Sequence, residues 1–376
     1  MVKTLAKAAG EGMLQRATVL WRTYKNVSAH DGRGNRTMAS IVCFGELLLR
    51  LSAPGRETLL QSPQLQVCVG GAEANVAVAL ARLGHDARMA GTVAGNALGE
   101  AALGELRRHG VDTGGVARAP GRMGLYFLAP GAGHRPSAVL YDRAGSAFAL
   151  AGADAYDWPA LLAGVDCLHL SGVTPALGRA TADAALAAAR AAHAAGALVS
   201  FDGNFRGKLW DAWDGDPAST LLELFAEADI AFADHRDIAV MLGEADGAGD
   251  TPGARMAHAA ARGFAAFPRL RRLAATVRTQ HSVDDHALGA LMATRDGDMH
   301  RVADRPLPGI VDRIGAGDAF AAGVLHGVLG GLDDAASLAF GHAAACLKHS
   351  VPGDFNLVDA DEVQALVRGE RLDVRR

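Results

Sequence analysis

Between residues 166 and 348, short apolar runs alternate with helix-patterned segments, and this rhythm limits the possible folds more than any other feature. "DCLHLSG" has the length and composition of a buried strand, and "RATADAALAAARAAHAAG" is an Ala-rich helix ending on glycine. "ALVSFDGNFR" is a strand running into a polar loop, followed by the helix "LLELFAEA", the strand "DIAFAD" and the helix "HRDIAVMLG". "LAATVRTQ" and "ALGALMATRDG" are late strands, and "GDAFAAGVLHGVLGG" and "AASLAFGHAAACLKHS" a closing pair of helices. Parallel strands need a long crossover, so this alternation predicts an α/β chain: a mostly parallel sheet covered by helices on both faces. In such sheets ligands sit beyond the carboxyl ends of the strands. The polar clusters "DGNFR", "ADHRD" and "DRIGAGD" all follow predicted strands.

The first half is less regular. "IVCFGELLLRLS" predicts one opening strand, with a turn over 53–56 and a short strand near "LQVCVGG". A helix is expected from Ala72 to Leu83, closed by Gly84, then a strand and turn at "DARMAGTVAG" and a helix over "NALGEAALGELRRHG". "MGLYFLAP" and "SAVLYDR" flank a Gly/Pro turn with no helix between them. Strands from about 51–69 and 122–142 are therefore expected to form a small sheet beside the main one.

A chain of 376 residues can hold one large α/β domain with an accessory element. The net charge of −4 argues against nucleic acid as a partner, because neutralising phosphates needs a basic face. The four cysteines, Cys43, Cys68, Cys167 and Cys346, are widely spaced, which suits buried thiols rather than disulfides or zinc. No uncharged apolar run approaches the ~18 residues of a membrane span, so a cytoplasmic protein with no membrane partner is expected. Residues 1–37 carry seven Lys/Arg against two acidic residues, a net of +5, without the continuous apolar stretch of a secretory signal. Met38 opens "MASIVCFGELLLRLS" like a natural start. Residues 1–38 are therefore expected to be a poorly ordered basic leader before a single domain over 39–376.

"VDRIGAGDAFAAG" (311–323) carries the chemistry. Glycines permit close backbone approach, and successive N–H groups at a helix start can converge on one anion. A carboxylate there, Asp318, could take the proton from an attacking hydroxyl, with Asp312 helping to position a metal or water. The plain alternative is that Asp318 only caps its helix.

The segment DxxGAGDxFxxG resembles the C-terminal signature of the ribokinase-like (PfkB) carbohydrate kinases, and "VGGAEANVAVALARLG" (69–84) resembles their N-terminal one. The resemblance runs from about Ile41 to the end of the chain. It implies a ribokinase-like three-layer α/β/α sandwich with a small β-sheet lid, using ATP and Mg²⁺. By that resemblance Asp318 is the general base, and the amides of Gly315, Ala316 and Gly317 form the anion hole. Gly70 and Gly71 would let the chain pass close to the sugar, with Asn75 turned toward its hydroxyls. "LYDRAGSAFA", "HLSGVTPAL", "DGNFRGKLW" and "HSVPGDFN" look most like the 2-keto-3-deoxygluconate kinases of the family, which implies that Tyr126, Tyr141, Arg143 and Arg206 line a sugar-acid site. Arginine suits a carboxylate substrate, because a planar guanidinium can contact it bidentately.

Two departures stand out. Where the family has Asn-x-x-Glu, this chain has "ADHRDIAVMLG", offering Asp234 and Asp237 for Mg²⁺ and phosphate. The family's Lys/Arg-x-Gly-x-x-Gly nucleotide loop is replaced by "TVRTQHSVDDHALGAL", where His281, Asp284, Asp285 and His286 form either a solvated loop or a metal group. The expected activity is 6-phosphorylation of 2-keto-3-deoxygluconate. The rivals are another sugar kinase of the family, such as a fructokinase or ribokinase, and a sugar sensor on the same fold. A homodimer or higher homo-oligomer through the lid is expected. A dinucleotide oxidoreductase has little support, since no GxGxxG follows the first strand.

Overall fold

The computed structural model describes residues 38–213, 215–243 and 249–370. The expected leader therefore lies outside the described residues, apart from Met38. Among the described residues, thirteen strands form two sheets. The large sheet has the order β13-β12-β11-β10-β9-β8-β1-β4-β5. Its members are β1 (Ser40–Phe44), β4 (Asp86–Ala94), β5 (Asp112–Ala119), β8 (Cys167–Ser171), β9 (Leu198–Asp202), β10 (Ile230–Phe232), β11 (Arg272–Gln280), β12 (Asp285–Thr294) and β13 (Met299–Pro308). Pairing is parallel from β5 to β11 and antiparallel at β11–β12 and β12–β13. The smaller sheet has the order β3-β2-β6-β7, from β2 (Leu48–Ser52), β3 (Gln66–Gly70), β6 (Leu125–Ala129) and β7 (Ala138–Asp142).

Two apolar cores sandwich the large sheet, as strand–helix alternation requires. One contains buried residues of the helices Ala72–Arg82, Ala97–Arg108, Ala316–Leu329 and Asp334–Lys348. The other draws on Arg179–Ala195, Pro217–Ala226, His235–Leu242 and Pro252–Ala266. In Arg179–Ala195 the buried positions are mostly alanines, and Gly196 ends the helix in the left-handed region. A Cβ at Gly323 would come within 2.7 Å of the Gly341 Cα, so the last two long helices cross on glycine.

The expected single strand "IVCFGELLLRLS" is two strands in two different sheets. The break is at Gly45, where a Cβ would stand 2.1 Å from the Glu73 carboxylate. Apolar patterning cannot register such a turn, because both halves are buried. Among the elements not anticipated are β5, which contains two glycines; the edge strand β13, rich in charge and bearing prolines; and the helices Pro252–Ala266 and Ala360–Val367. Proline is tolerated at an edge, so β13 lacks the composition of an interior strand. Among the described residues no helix is long and apolar enough to cross a membrane. Cys43, Cys167 and Cys346 are buried free thiols, whereas Cys68 is only half-buried.

Candidate active site

Parallel strands point their carboxyl ends the same way, and β1, β8, β9 and β10 deliver Glu46, Ser171, Asp202 and Asp234 at or just beyond those ends. The helix Ala316–Leu329 begins one residue before the expected "GDAFAAGVLHGVLGG", with Gly315 as its N-cap at φ +81°. Asp318 is therefore inside the first turn, and no side chain caps this helix. The amides of Gly315, Gly317 and Asp318 form no hydrogen bond among the described residues, while that of Ala316 donates to the Arg313 carbonyl at 3.3 Å. These open N–H groups, reinforced by the helix dipole, suit an incoming anion.

Asp318 reaches across to the other signature. Asn75 donates from Nδ2 to Asp318 Oδ2 at 2.6 Å, and Asn75 Oδ1 is buried without a partner. Burial raises the Asp318 pKa to about 6, opposed by the Asn75 hydrogen bond and by Arg206 and Lys348, with Asp354 adding to the rise. A carboxylate poised near neutrality, holding one donor and screened by few others, can accept a proton.

Asp354 ties the two signatures together, and the sequence had not singled it out. A Cβ at Gly70 would meet its Oδ2 at 2.2 Å, and one at Gly315 would meet its carbonyl oxygen at 2.0 Å. Gly71, at φ +143°, is pressed against the Glu46 carbonyl. Both N-terminal glycines thus accommodate the protein's own chain. Arg50, on β2, donates to Asp354 Oδ1 at 2.8 Å and to Asp312 Oδ2 at 2.6 Å. Tyr126 completes the network by donating to Asp354 Oδ2 at 2.7 Å, and its own pKa is raised by burial and by that neighbour. Asp312 also accepts from the amides of Ile314 and Gly353 at 3.0 and 3.1 Å. Asp312 and Tyr126 are thereby committed to joining the smaller sheet to the glycine turn, rather than standing open to metal or sugar.

A second acidic group gathers at the ends of β9 and β10. Burial raises the Asp202 pKa well above the carboxylate range, and Asp318 and Asp237 push it further; Arg206 pulls it back. Asp237 is pushed up to about 6, first by burial and then by Asp234. Arg206, exposed at the end of "DGNFR", lowers all three of Asp202, Asp237 and Asp318, so it stands among them. Asn204, at φ +36°, makes the turn that brings it there. Asp234 and Asp237 form a capping box on the helix His235–Leu242, and Asp234 also pairs with Arg236. Asp234 is spent on its helix and on Arg236, whereas Asp237 gives one oxygen to the Asp234 amide at 3.0 Å; it and the unanticipated Asp202 are the candidate cation-facing pair. Magnesium commonly takes one or two carboxylates plus waters and phosphate oxygens, and this pair fits that requirement.

Arg143 is 5% exposed and donates from Nε to Glu46 Oε2 at 2.5 Å; Ser146 binds the other Glu46 oxygen. Its Nη atoms make no hydrogen bond among the described residues. Tyr141 lies opposite Tyr126 on β7, half-buried. Glu73, fully buried beside Thr174, is lifted to about 7 mainly by burial. Glu73 was not singled out in the sequence, where its only sign was an acid inside an otherwise apolar signature. No group of three or more His, Cys, Asp or Glu among the described residues could hold a metal ion, and Asp284 pairs with Arg56. His281, Asp284, Asp285 and His286 do not assemble into a metal site.

The family described as pfkB family carbohydrate kinase matches residues 38–360. A 2-dehydro-3-deoxygalactonokinase of Haloferax volcanii is 33% identical over 341 residues, covering 88% of this chain and 97% of its own. A 2-dehydro-3-deoxygluconokinase of Bacillus subtilis is 30% identical, covering 84% and 91%. The crystal structure of 2-dehydro-3-deoxygluconokinase from Thermotoga maritima superposes with a TM-score of 0.82 at 36% identity, covering 88% of this chain and 100% of that one. The chain belongs to the pfkB family of carbohydrate kinases, on the ribokinase-like fold.

Proposed function

We propose that the protein transfers the γ-phosphoryl group of ATP to the 6-hydroxyl of 2-keto-3-deoxygluconate. The carrying observation is the Asn75–Asp318 hydrogen bond, which joins the two signatures around one under-partnered carboxylate. Asp318 accepts the hydroxyl proton, and the open amides of the Gly315–Asp318 turn receive the negative charge of the transferred group. Mg²⁺, when bound, neutralises phosphate charge; Asp202 and Asp237 are the residues that would orient it. Arg206 and the free end of Arg143 suit the sugar carboxylate, with Glu46 holding Arg143 in position. Tyr141 flanks the same space.

The smaller sheet supports a second part of the proposal. Its cross-strand row Val67–Leu51–Phe127–Leu140 is apolar, and Val67 and Leu140 are 60% and 57% exposed. Such a face suits a second copy of the chain, giving a homodimer in which the sheet covers the sugar. Size-exclusion chromatography with light scattering tests this, and Leu140→Lys should yield a monomer.

The galactonate epimer is the second reading, favoured by the Haloferax relative's name and its 33% identity. An assay of ADP release with both epimers, fructose and ribose separates the readings. Turnover with fructose or ribose but neither sugar acid would overturn the substrate, and no ADP with any of them would overturn the kinase.

A further inference from the structure

Lys348 is a buried charge that the proposed reaction leaves without a role. It ends the helix Asp334–Lys348, and its side chain is 0% exposed. Removing an ammonium from water costs several kcal/mol, so lysine is rarely fully buried without a compensating partner. Here the compensation is incomplete. Nζ donates to the Val351 carbonyl at 2.9 Å, its one hydrogen bond among the described residues, and it forms no ion pair there. Of the three nearby carboxylates, Asp312 and Asp354 are already in direct contact with Arg50. Lys348 therefore has no contacting anion among the described residues to offset its burial.

Its position gives that charge a target. A Cβ at Gly315 would lie 3.4 Å from Lys348 Cε, so the lysine stem packs beneath the residue that opens the glycine turn. The charged groups acting on Lys348 are Asp312, Asp354, Arg50 and Asp318. The neighbouring His349 is held neutral by burial, its pKa lowered to about 4. Burial lowers the lysine pKa, and Asp312 and Asp354 draw it back up.

We infer that Lys348 is a positioning residue for phosphoryl transfer: a built-in cation behind the Gly315–Gly317 turn. It fixes the turn and adds positive potential where the transferred group gains negative charge. The inference rests on the kinase reading, whose failure is separately visible as absent turnover in the unaltered protein.

Lys348→Met keeps the apolar stem and removes the charge; Lys348→Ala opens space for a small amine. With Lys348→Met the expected result is a folded protein whose kcat falls roughly 10²-fold while the sugar KM changes less than about threefold. Adding methylammonium or ethylammonium should restore part of the kcat of Lys348→Ala and leave the parent unaffected. Unchanged kcat in Lys348→Met overturns the inference. So does a kcat loss without amine rescue, which assigns the lysine to packing. Loss of the native circular dichroism in both variants also overturns it, because Lys348 then serves the fold.

Discussion

Asp312 and Asp318 are six residues apart, yet their surroundings are opposite. Asp312 receives a guanidinium and two backbone amides. Asp318 receives one side-chain donor and is pushed up to about 6 by burial. A saturated carboxylate of this kind is architecture, whereas an under-saturated one retains capacity for a proton. The same contrast separates Arg143, anchored on Glu46, from Arg206, which stands exposed among three carboxylates.

Substitutions should divide along this line. The largest effect is expected from Asp318→Asn, which should lower kcat roughly 10³-fold with sugar affinity kept, measured by steady-state kinetics and calorimetry. A fully active Asp318→Asn would end its claim to chemistry. Arg50→Met should act on the other side of the contrast, destabilising the fold by about 3–5 kcal/mol in urea unfolding because two buried carboxylates lose their cation. Equal stability would mean that Asp312 and Asp354 find other compensation.

Arg206→Ala should raise the sugar-acid KM about 10–100-fold, the value of one or two charge-assisted hydrogen bonds, without lowering the melting temperature. A KM effect of the same size with a neutral sugar would detach Arg206 from the carboxylate. The smallest effect is a pH dependence. The folded pKa of Asp318, about 6, exceeds the unfolded carboxylate value. Its contribution to stability is therefore full at low pH and lost as pH rises through about 6. Asp318→Asn should then melt slightly higher than the parent at pH 7.5, the difference vanishing near the ordinary carboxylate pKa of ~4. In the parent, kcat/KM should fall as pH drops below about 6, because the base is then protonated.

The parallel sheet was legible because the Ala-rich and apolar segments differ so plainly in period. The split of "IVCFGELLLRLS" was not, since a strand that changes sheets keeps the same apolar composition on both sides of its turn. Asp318, Gly315 and Asn75 could be named because they lie within compact signatures. Arg50, Asp354, Lys348, Asp202 and Glu46 lie inside quoted segments but outside those signatures, where nothing local tells them from any other charged residue.

The sequence by itself determined the class of fold, the two signatures and the residue types that phosphoryl transfer requires, because periodicity and short glycine motifs are local properties. Only the tertiary structure decided which carboxylates remain open. It paired Asp312 with Arg50, turned Asp234 into a helix cap, and left Asp318 with Asn75 from a strand–helix turn 243 residues away. The physical reason is that a carboxylate's chemistry depends on how completely its lone pairs and charge are met, and those partners come from distant parts of the chain.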